Sequence, residues 1–436
     1  MRWPIAAPDD RNLVMTQTHQ IRTISPEEFE ALTEVPNEAF LHSWPREALE
    51  RERLTTEYDR TLVALDDQRM VGTGAAYSFQ LAVPGGSVPA AGVTMIAVLP
   101  SYRRRGILTG LMTRLFSDAQ SRSEPVAILF ATEAGIYGRF GYGLGTQHQE
   151  LTIRRGEGRL AVGPAAAALP DDLRLRETEP LQARAELAKV FDAVFARQPG
   201  TLARDDRWWT YRLTDVPSLR SPGASVPRCL VAEDDHGPRG YVLYQTKPGW
   251  DEYHLAAGSL HVRELHATDP AAYAALWADL LSRDLVAEVN ALMRPIDDPL
   301  LALLADPRRA RPAPADGLWV RLLDVPAALA RRSYAAPADV VLDVIDPVMS
   351  GNSGLWRLRT TGRSADGGNE TTTCERTHEA ADVRLTVQAL GAGYLGGASF
   401  GQLAGAGQVA ELTPGALAAL AAAMSWDRAP FSGMMF

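Results

Sequence analysis

The chain has 436 residues, which at about 100–200 residues per domain makes two or three domains and excludes a single small binding module. Hydrophobic residues make up 46% and charged residues 22%, ordinary proportions for a globular protein, so disordered, collagen-like and fibrous readings fall away. The formal net charge is −9, and all but two of the 44 basic residues are arginine, the lysines being Lys189 and Lys247; an acidic chain repels polyanions, so no nucleic-acid partner is expected and a cationic substrate is favoured.

Residues 1–14 lack the basic start and apolar core of a secretion signal and read as a flexible extension. From residue 19 to 150 short apolar runs alternate with helical patterns. Ser25-Pro26-Glu27-Glu28 supplies a capping serine, a first-turn proline and acids where a helix begins. Residues 61–65 and 70–80 read as an antiparallel hairpin around Asp66-Asp67-Gln68-Arg69. A third strand over 93–98 is stopped by Pro100, an amphipathic helix over 104–119 carries Ile107, Leu108, Leu111, Met112 and Leu115 on one face, and 126–130 is a buried strand. Residues 151–310 repeat this order in weaker form, with strands at 229–232, 240–245, 260–265 and 286–292 and a helix at 271–281, so an internal duplication is the favoured reading. The Pro/Ala-rich residues 308–317 read as a linker. Beyond it, 340–345, 354–360 and 381–387 are strand-like, Gly391, Gly393, Gly396 and Gly397 around Tyr394 read as a bend in a sheet, and Thr413-Pro414 starts an Ala-rich helix to Met424. No apolar run approaches the roughly 20 residues that cross a bilayer, so no membrane is expected. Cys229 and Cys374 fit neither a disulfide framework nor a zinc site, which points to a reducing, cytoplasmic location.

The stretch with most chemical content is Met95-Ile96-Ala97-Val98-Leu99-Pro100-Ser101-Tyr102-Arg103-Arg104-Arg105-Gly106-Ile107-Leu108. A strand ends, an arginine-rich turn with one glycine follows and a helix begins, which gathers free backbone N–H groups and positive charge at one point and suits an anion such as a phosphate. A solvated basic helix start is the plain alternative.

Arg103-x-x-Gly106 after a strand ending at Val98 resembles the acetyl-CoA pyrophosphate signature of the GNAT N-acetyltransferases. Leu108 stands where that family has a small residue, a departure that itself resembles the actinobacterial Eis acetyltransferases. Ala131-Thr132-Glu133-Ala134-Gly135-Ile136-Tyr137-Gly138-Arg139-Phe140-Gly141-Tyr142-Gly143 is similar to a second segment of the same family, and Trp208-Trp209-x-x-Arg212 to a third. The resemblance covers the whole length. It implies an α+β chain of tandem GNAT domains, with mixed central sheets flanked by helices, plus a C-terminal domain like sterol carrier protein 2. The catalytic GNAT domain would occupy 1–150, a second GNAT-like domain without the CoA motif 151–310, and the last domain 311–436, with its C-terminus reaching the active site.

Amide formation needs a polarised thioester carbonyl, an acid for the leaving thiolate and a base for the amine. A backbone N–H near Val98 can hold the oxyanion, with the pantetheine arm paired along Ile96 and Val98 and the pyrophosphate on Arg103, Arg104, Arg105, Gly106 and Ile107; Thr132 is a further cofactor contact. The resemblance places Tyr137 as the acid, Tyr142 being the weaker choice, and puts the terminal carboxylate of Phe436 at the amine as base or orienter. The penultimate Met435 departs from an acidic residue. Phe40, Trp44 and Met95 are expected pocket walls, again by resemblance. No metal is expected: His261 and His266 lie in a strand with the wrong spacing for a zinc hydrolase, and Trp208, Trp209 and Tyr211 at helical spacing read as core. The second repeat has His266-Ala267-Thr268-Asp269-Pro270 where the phosphate turn would be, with an aspartate in place of glycine and arginine, and should not bind CoA.

The expected function is acetyl-CoA-dependent N-acetylation of a small-molecule amine, with multi-site acetylation of aminoglycosides as the case the resemblance implies and a homohexamer as the expected assembly. The alternatives are a protein-lysine or polyamine acetyltransferase and, from another class, a non-catalytic acyl-CoA or lipid-binding protein.

Overall fold

The computed structural model describes residues 19–161, 172–363 and 370–436; the expected flexible extension falls outside them. The chain forms two compact units, one built from Met1–Trp44, Glu57–Ala76 and Met95–Leu115, the other from Pro45–Thr56, Tyr77–Thr94 and Phe116–Phe436.

In the first unit β1 (Gln20–Thr23) pairs antiparallel with β2 (Thr61–Asp66), and β2 with the opening half of β3 (Arg69–Val83). Helix α1 (Phe29–Phe40) starts behind the expected cap: the Ser25 side chain and the Glu28 carboxylate close a capping box, and Arg22 grips Glu28 with two hydrogen bonds of 2.9 and 2.7 Å. Phe29, Leu32 and Val35 recur at helical spacing on its buried face. The same unit holds the end of β4 (Gly86–Val98) and most of α3 (Ile107–Ser121).

In the second unit β4 lies parallel to β5 (Val126–Phe130), with Ala90 opposite Val126 and Gly92 opposite Ile128. Next to β5 comes β14 (Leu318–Leu322), antiparallel, and beyond it β6 (Gly143–Leu144). A second sheet has the order β13-β7-β12-β11-β10-β9-β8, made of Ala313–Asp316, Gln147–Arg154, Val286–Pro295, Gly258–Ala267, Gly237–Lys247, Arg228–Asp234 and Arg174–Thr178 respectively. Its run of antiparallel pairs ending in one parallel pair, β11 with β12, resembles the strand order β2-β3-β4-β5, where β2 and β3 pair antiparallel and β4 and β5 parallel, and gives the duplicated pattern physical form. The third sheet, β17-β16-β15-β18-β19, spans Thr372–Arg376, Gly354–Thr360, Ala338–Ile345, Val383–Thr386 and Val409–Glu411.

Two expectations are corrected. Residues 308–317 are not a free linker: Ala313–Asp316 pairs with β7 and the following β14 with β5, so the chain stitches a strand into each of the first two sheets before entering the third. The glycines around Tyr394 make no sheet bend; Gly391 and Gly393 belong to the helix Val387–Gly393. A Cβ on Gly391 would collide with the Val320 carbonyl of β14, so glycine lets this helix lie directly on the strand. One apolar core accordingly runs from Phe79, Ile128 and Val320 into Leu342, Leu390 and Tyr394. At its edge Arg321 of β14 and Asp346, both fully buried, form an ion pair of 2.6 Å.

Candidate active site

In the first unit β4 carries a break at Met95, whose φ of +51° is unusual for a residue with a side chain. The buried Thr73 hydroxyl donates to the Met95 carbonyl at 2.7 Å and holds the break in place. Beyond it Ala97 is buried while Ile96 and Val98 are half-buried, so these two present part of their surface. Leu99 returns to the sheet through its N–H to the Val71 carbonyl, 3.0 Å.

The turn that follows fits a phosphate. Arg103, Arg104, Arg105 and Gly106 are exposed, Arg104 and Gly106 take φ of +63° and +82°, and none of the described residues lies within 4 Å of where a Gly106 Cβ would stand. Helix α3 begins at the next residue, Ile107, which is buried, so its first-turn N–H groups have no partner further up the helix and its positive dipole end opens on the turn. The turn is braced from below: Arg105 donates to the Ser101 carbonyl at 3.0 Å and lies 4.8 Å from the Tyr102 ring centre, while Tyr102 donates to Asp66 at 2.9 Å. Phe40 closes α1 at 43% exposure; Trp44 donates its backbone N–H to Asn37 Oδ1 at 3.3 Å and meets His42 edge-on.

In the second unit Thr132 is exposed just ahead of the short helix α4 (Ala134–Tyr137). Tyr137 is buried, and that burial, with a smaller push from Glu133, raises its phenol to about 12. Its ring meets Tyr142 edge-on at 6.0 Å. Tyr142 is sealed, with a hydroxyl that has no hydrogen-bond partner among the described residues and a pKa driven far above the usual range by burial; Tyr137 keeps the larger access.

The C-terminal tail is threaded into the second unit. Gln198 Nε2 donates to the Ala429 carbonyl at 2.6 Å, Phe431 N–H donates to the Pro199 carbonyl at 2.8 Å, and Ala429 N–H is received by Asp297 at 2.9 Å. The loop that holds the tail is itself pinned to β3, with Ala82 N–H on the Thr201 carbonyl at 2.9 Å and Gly200 N–H on Ala82 at 2.8 Å. Phe431 and Met434 are buried. The Phe436 ring then lies among Phe79 at 4.9 Å, Phe130 at 5.7 Å and Tyr77 at 6.3 Å, with Trp208 tilted against Phe79 and edge-on to Tyr77. Thr94 Oγ1 donates to the Phe436 carbonyl oxygen at 3.3 Å, and Thr94 directly precedes Met95 in β4. The sequence offered no signal for Thr73, Thr94 or the 198–201 loop, because each acts through a contact with a remote part of the chain.

The corresponding place in the second sheet is filled. Asp269 caps the helix Pro270–Ser282, accepting from Ala271 and Ala272 N–H at 3.0 Å each, and is bound by Arg239. Its carboxylate stands where an anion would need to enter. Where β11 and β12 cease to pair, after Val262 and Ala291, Arg294 donates to the Leu265 carbonyl at 3.0 Å and to Asp298 at 2.7 Å. The free strand edge is thereby taken by the protein's own side chain. Trp208 and Trp209 are core, as expected. Among the described residues no group of three or more His, Cys, Asp or Glu could hold a metal, and no helix is long and apolar enough to cross a membrane.

Family models match in three places: residues 20–145 and 200–322 each match an acetyltransferase (GNAT) domain, and 325–433 a sterol carrier protein domain. An uncharacterized N-acetyltransferase of Streptomyces avermitilis is 44% identical over 381 residues, covering 86% of this chain and 89% of that protein. N-acetyltransferase Eis of Mycobacterium bovis is 33% identical over 385 residues, 84% of this chain and 89% of its own. Among solved structures, the crystal structure of Eis1 from Mycobacterium abscessus superposes with a TM-score of 0.79 at 34% identity, covering 96% of this chain and all of that one, 100%.

Proposed function

Since the chain belongs to the Eis family of GNAT N-acetyltransferases, we propose that it moves an acetyl group from acetyl-CoA directly to a small-molecule amine in a ternary complex. Acetyl-CoA supplies the activated acyl group. The observation that carries the reading is the open, arginine-rich turn at Arg103–Gly106 leading into a fifteen-residue helix. Those backbone N–H groups and guanidiniums would hold the pyrophosphate, with Ile107 starting the helix behind it. Ile96 and Val98 would offer backbone to the pantetheine arm, the Val98 N–H would polarise the carbonyl, and Thr132 would add a polar contact.

Tyr137 is the proposed acid. A phenol held near 12 keeps its proton at neutral pH, so it donates a hydrogen bond to the departing sulfur and releases the proton as that sulfur, desolvated in its turn, gains proton affinity. The terminal carboxylate of Phe436, a weak base, would take the ammonium's proton through a water or orient the amine. Phe40, Trp44 and Met95 are proposed as walls around that amine. By family resemblance we assign aminoglycosides, acetylated at several positions, as the first substrate class to test, a homohexamer as the assembly and the cytoplasm, where acetyl-CoA is made, as the location. Protein lysines or polyamines are the second class of amine.

The test is thiol release from acetyl-CoA by untagged protein over aminoglycosides, polyamines and lysine peptides, with product masses. Several acetyl additions per aminoglycoside are expected. Transfer to peptides alone would move the activity to protein acetylation. Tight acyl-CoA binding with no turnover on any amine would overturn the reading in favour of a binding protein.

A further inference from the structure

Beside the tail lies a cavity of about 400 Å³ whose lining includes Gly433 and Met435, the latter adjoining the terminal Phe436. That volume is the size of a small-ligand site. Its walls mix apolar residues, Leu213, Leu243 and Met293 among them, with polar ones, and four arginines reach it: Arg51, Arg212, Arg220 and Arg263.

The carboxylates nearby do not balance these cations. Arg220 is fully committed to Asp215 through two hydrogen bonds. Arg212 donates to Glu264 at 2.9 Å, but that carboxylate is already gripped twice at 2.8 Å by the buried Arg204, so one anion serves two guanidiniums. Arg51 lies over the Tyr211 ring, 4.4 Å from its centre, and reaches Glu52 at 3.3 Å. Glu52 also accepts from the Tyr211 hydroxyl at 2.8 Å, and burial raises its pKa. Arg263 has only a neutral partner in the described residues, the Gln245 side-chain oxygen at 3.0 Å. Arg263 is exposed by surface area, yet the groups packed round it desolvate its charge, and this, with repulsion from Arg212 and Arg51, pulls its pKa down against the smaller opposing effect of Asp215 and Glu264. Cations gathered at one cavity with too few anions repel one another and are stabilised when an anion enters.

We propose that this cavity is an anion subsite that recruits amines carrying a carboxylate or phosphate on an apolar body, with Arg263 as the principal contact. This rests on the acetyltransferase reading and adds to it a class of amine beyond the aminoglycosides and polyamines, which have no acid group to offer. The chain's overall acidity favours cations at long range, but the cavity beside the tail has the opposite local sign, and recognition follows the local charge.

A matched pair of probes tests it: 4-(aminomethyl)benzoate and 4-(aminomethyl)benzamide share the amine and the ring and differ in the anion. A kcat/KM at least tenfold higher for the acid is expected, with Arg263→Gln bringing the ratio towards one and Arg263→Lys keeping most of it. A phosphonate analogue tells which acid is preferred. Binding of the benzoate by calorimetry is the readout independent of turnover, and R263Q should weaken it at least tenfold. Equal rates for acid and amide, or a ratio unchanged in R263Q, would overturn the subsite while leaving the acetyltransferase standing. Failure of every amine to be acetylated would count against the acetyltransferase, and the subsite would then stand or fall on the calorimetry.

Discussion

Tyr137 and Phe436 are the residues on which the proposed chemistry turns, and each can be tested without disturbing the fold. Tyr137→Phe keeps the ring against Tyr142 and removes only the hydroxyl; we expect kcat to fall about 10²–10⁴-fold, in the range for loss of a general acid, with the acetyl-CoA KM little changed. An unchanged kcat would remove Tyr137 from the mechanism. Because burial lifts this phenol to about 12, its ionisation should leave no alkaline limb in the rate below about pH 10. For Phe436 the ring and the carboxylate must be separated. A chain ligated with a C-terminal amide retains the aromatic packing on Phe79 and Phe130 but loses the charge, and should keep its melting temperature while turnover drops at least 100-fold. Full activity in the amidated protein would end the carboxylate's role. The charge logic of Arg263 was not visible in the chain, since a lone arginine in a strand acquires meaning only from Arg51 and Arg212, more than 50 positions away.

At the level of elements, patterning was informative wherever the signal was local. The capping box at Ser25, the hairpin of β2 and β3 and the helix after Gly106 follow from residues within a few positions of one another, and the structure has them. What escaped were places where one element reshapes another. The left-handed break at Met95 depends on Thr73, 22 positions earlier, and no propensity assigns a methionine to that region. Thr73→Val should therefore cost about 1–2 kcal/mol, measured by urea unfolding, by leaving the Met95 carbonyl without its buried donor. It should also raise the acetyl-CoA KM, as Ile96 and Val98 follow directly on that break. A variant of unchanged stability and KM would mean that the break is held by the sheet alone. The helix containing Gly391 was misread for a related reason: close packing on β14 demanded small residues, and small residues look like a bend when the neighbour is not known.

Over the whole molecule the duplicated sheets share topology while their sites have diverged, one left open at Gly106 and the other closed by Asp269 and Arg294. The missing CoA motif was legible in His266 to Pro270, whereas the plugging of the strand edge by Arg294 was not, since Arg294 lies beyond the motif. Buried ionisable groups of the second unit also bound its stability. Burial, aided by Arg204, Arg294 and Arg212, lowers His266 from 6.5 to about 4; the unfolded chain takes up this proton first, so stability is full above about pH 6.5 and is lost as the pH falls towards 4. Burial raises Cys229 and Cys374 from 9.0 to about 12 and Tyr142, Tyr334 and Tyr394 above the reference value of 10.0; the unfolded chain loses these protons first, so stability falls as the pH rises past about 9. The urea midpoint should thus be level between about pH 6.5 and 9 and drop on both sides, and a midpoint still rising beyond pH 10 would contradict the buried thiols and tyrosines. The seated tail also bears on the order of folding. The Phe436 ring completes an aromatic cluster begun by Tyr77 and Phe79, more than 350 positions earlier in the chain, so the cluster closes only when segments very distant in sequence have met, and its assembly belongs to the slow, long-range part of folding.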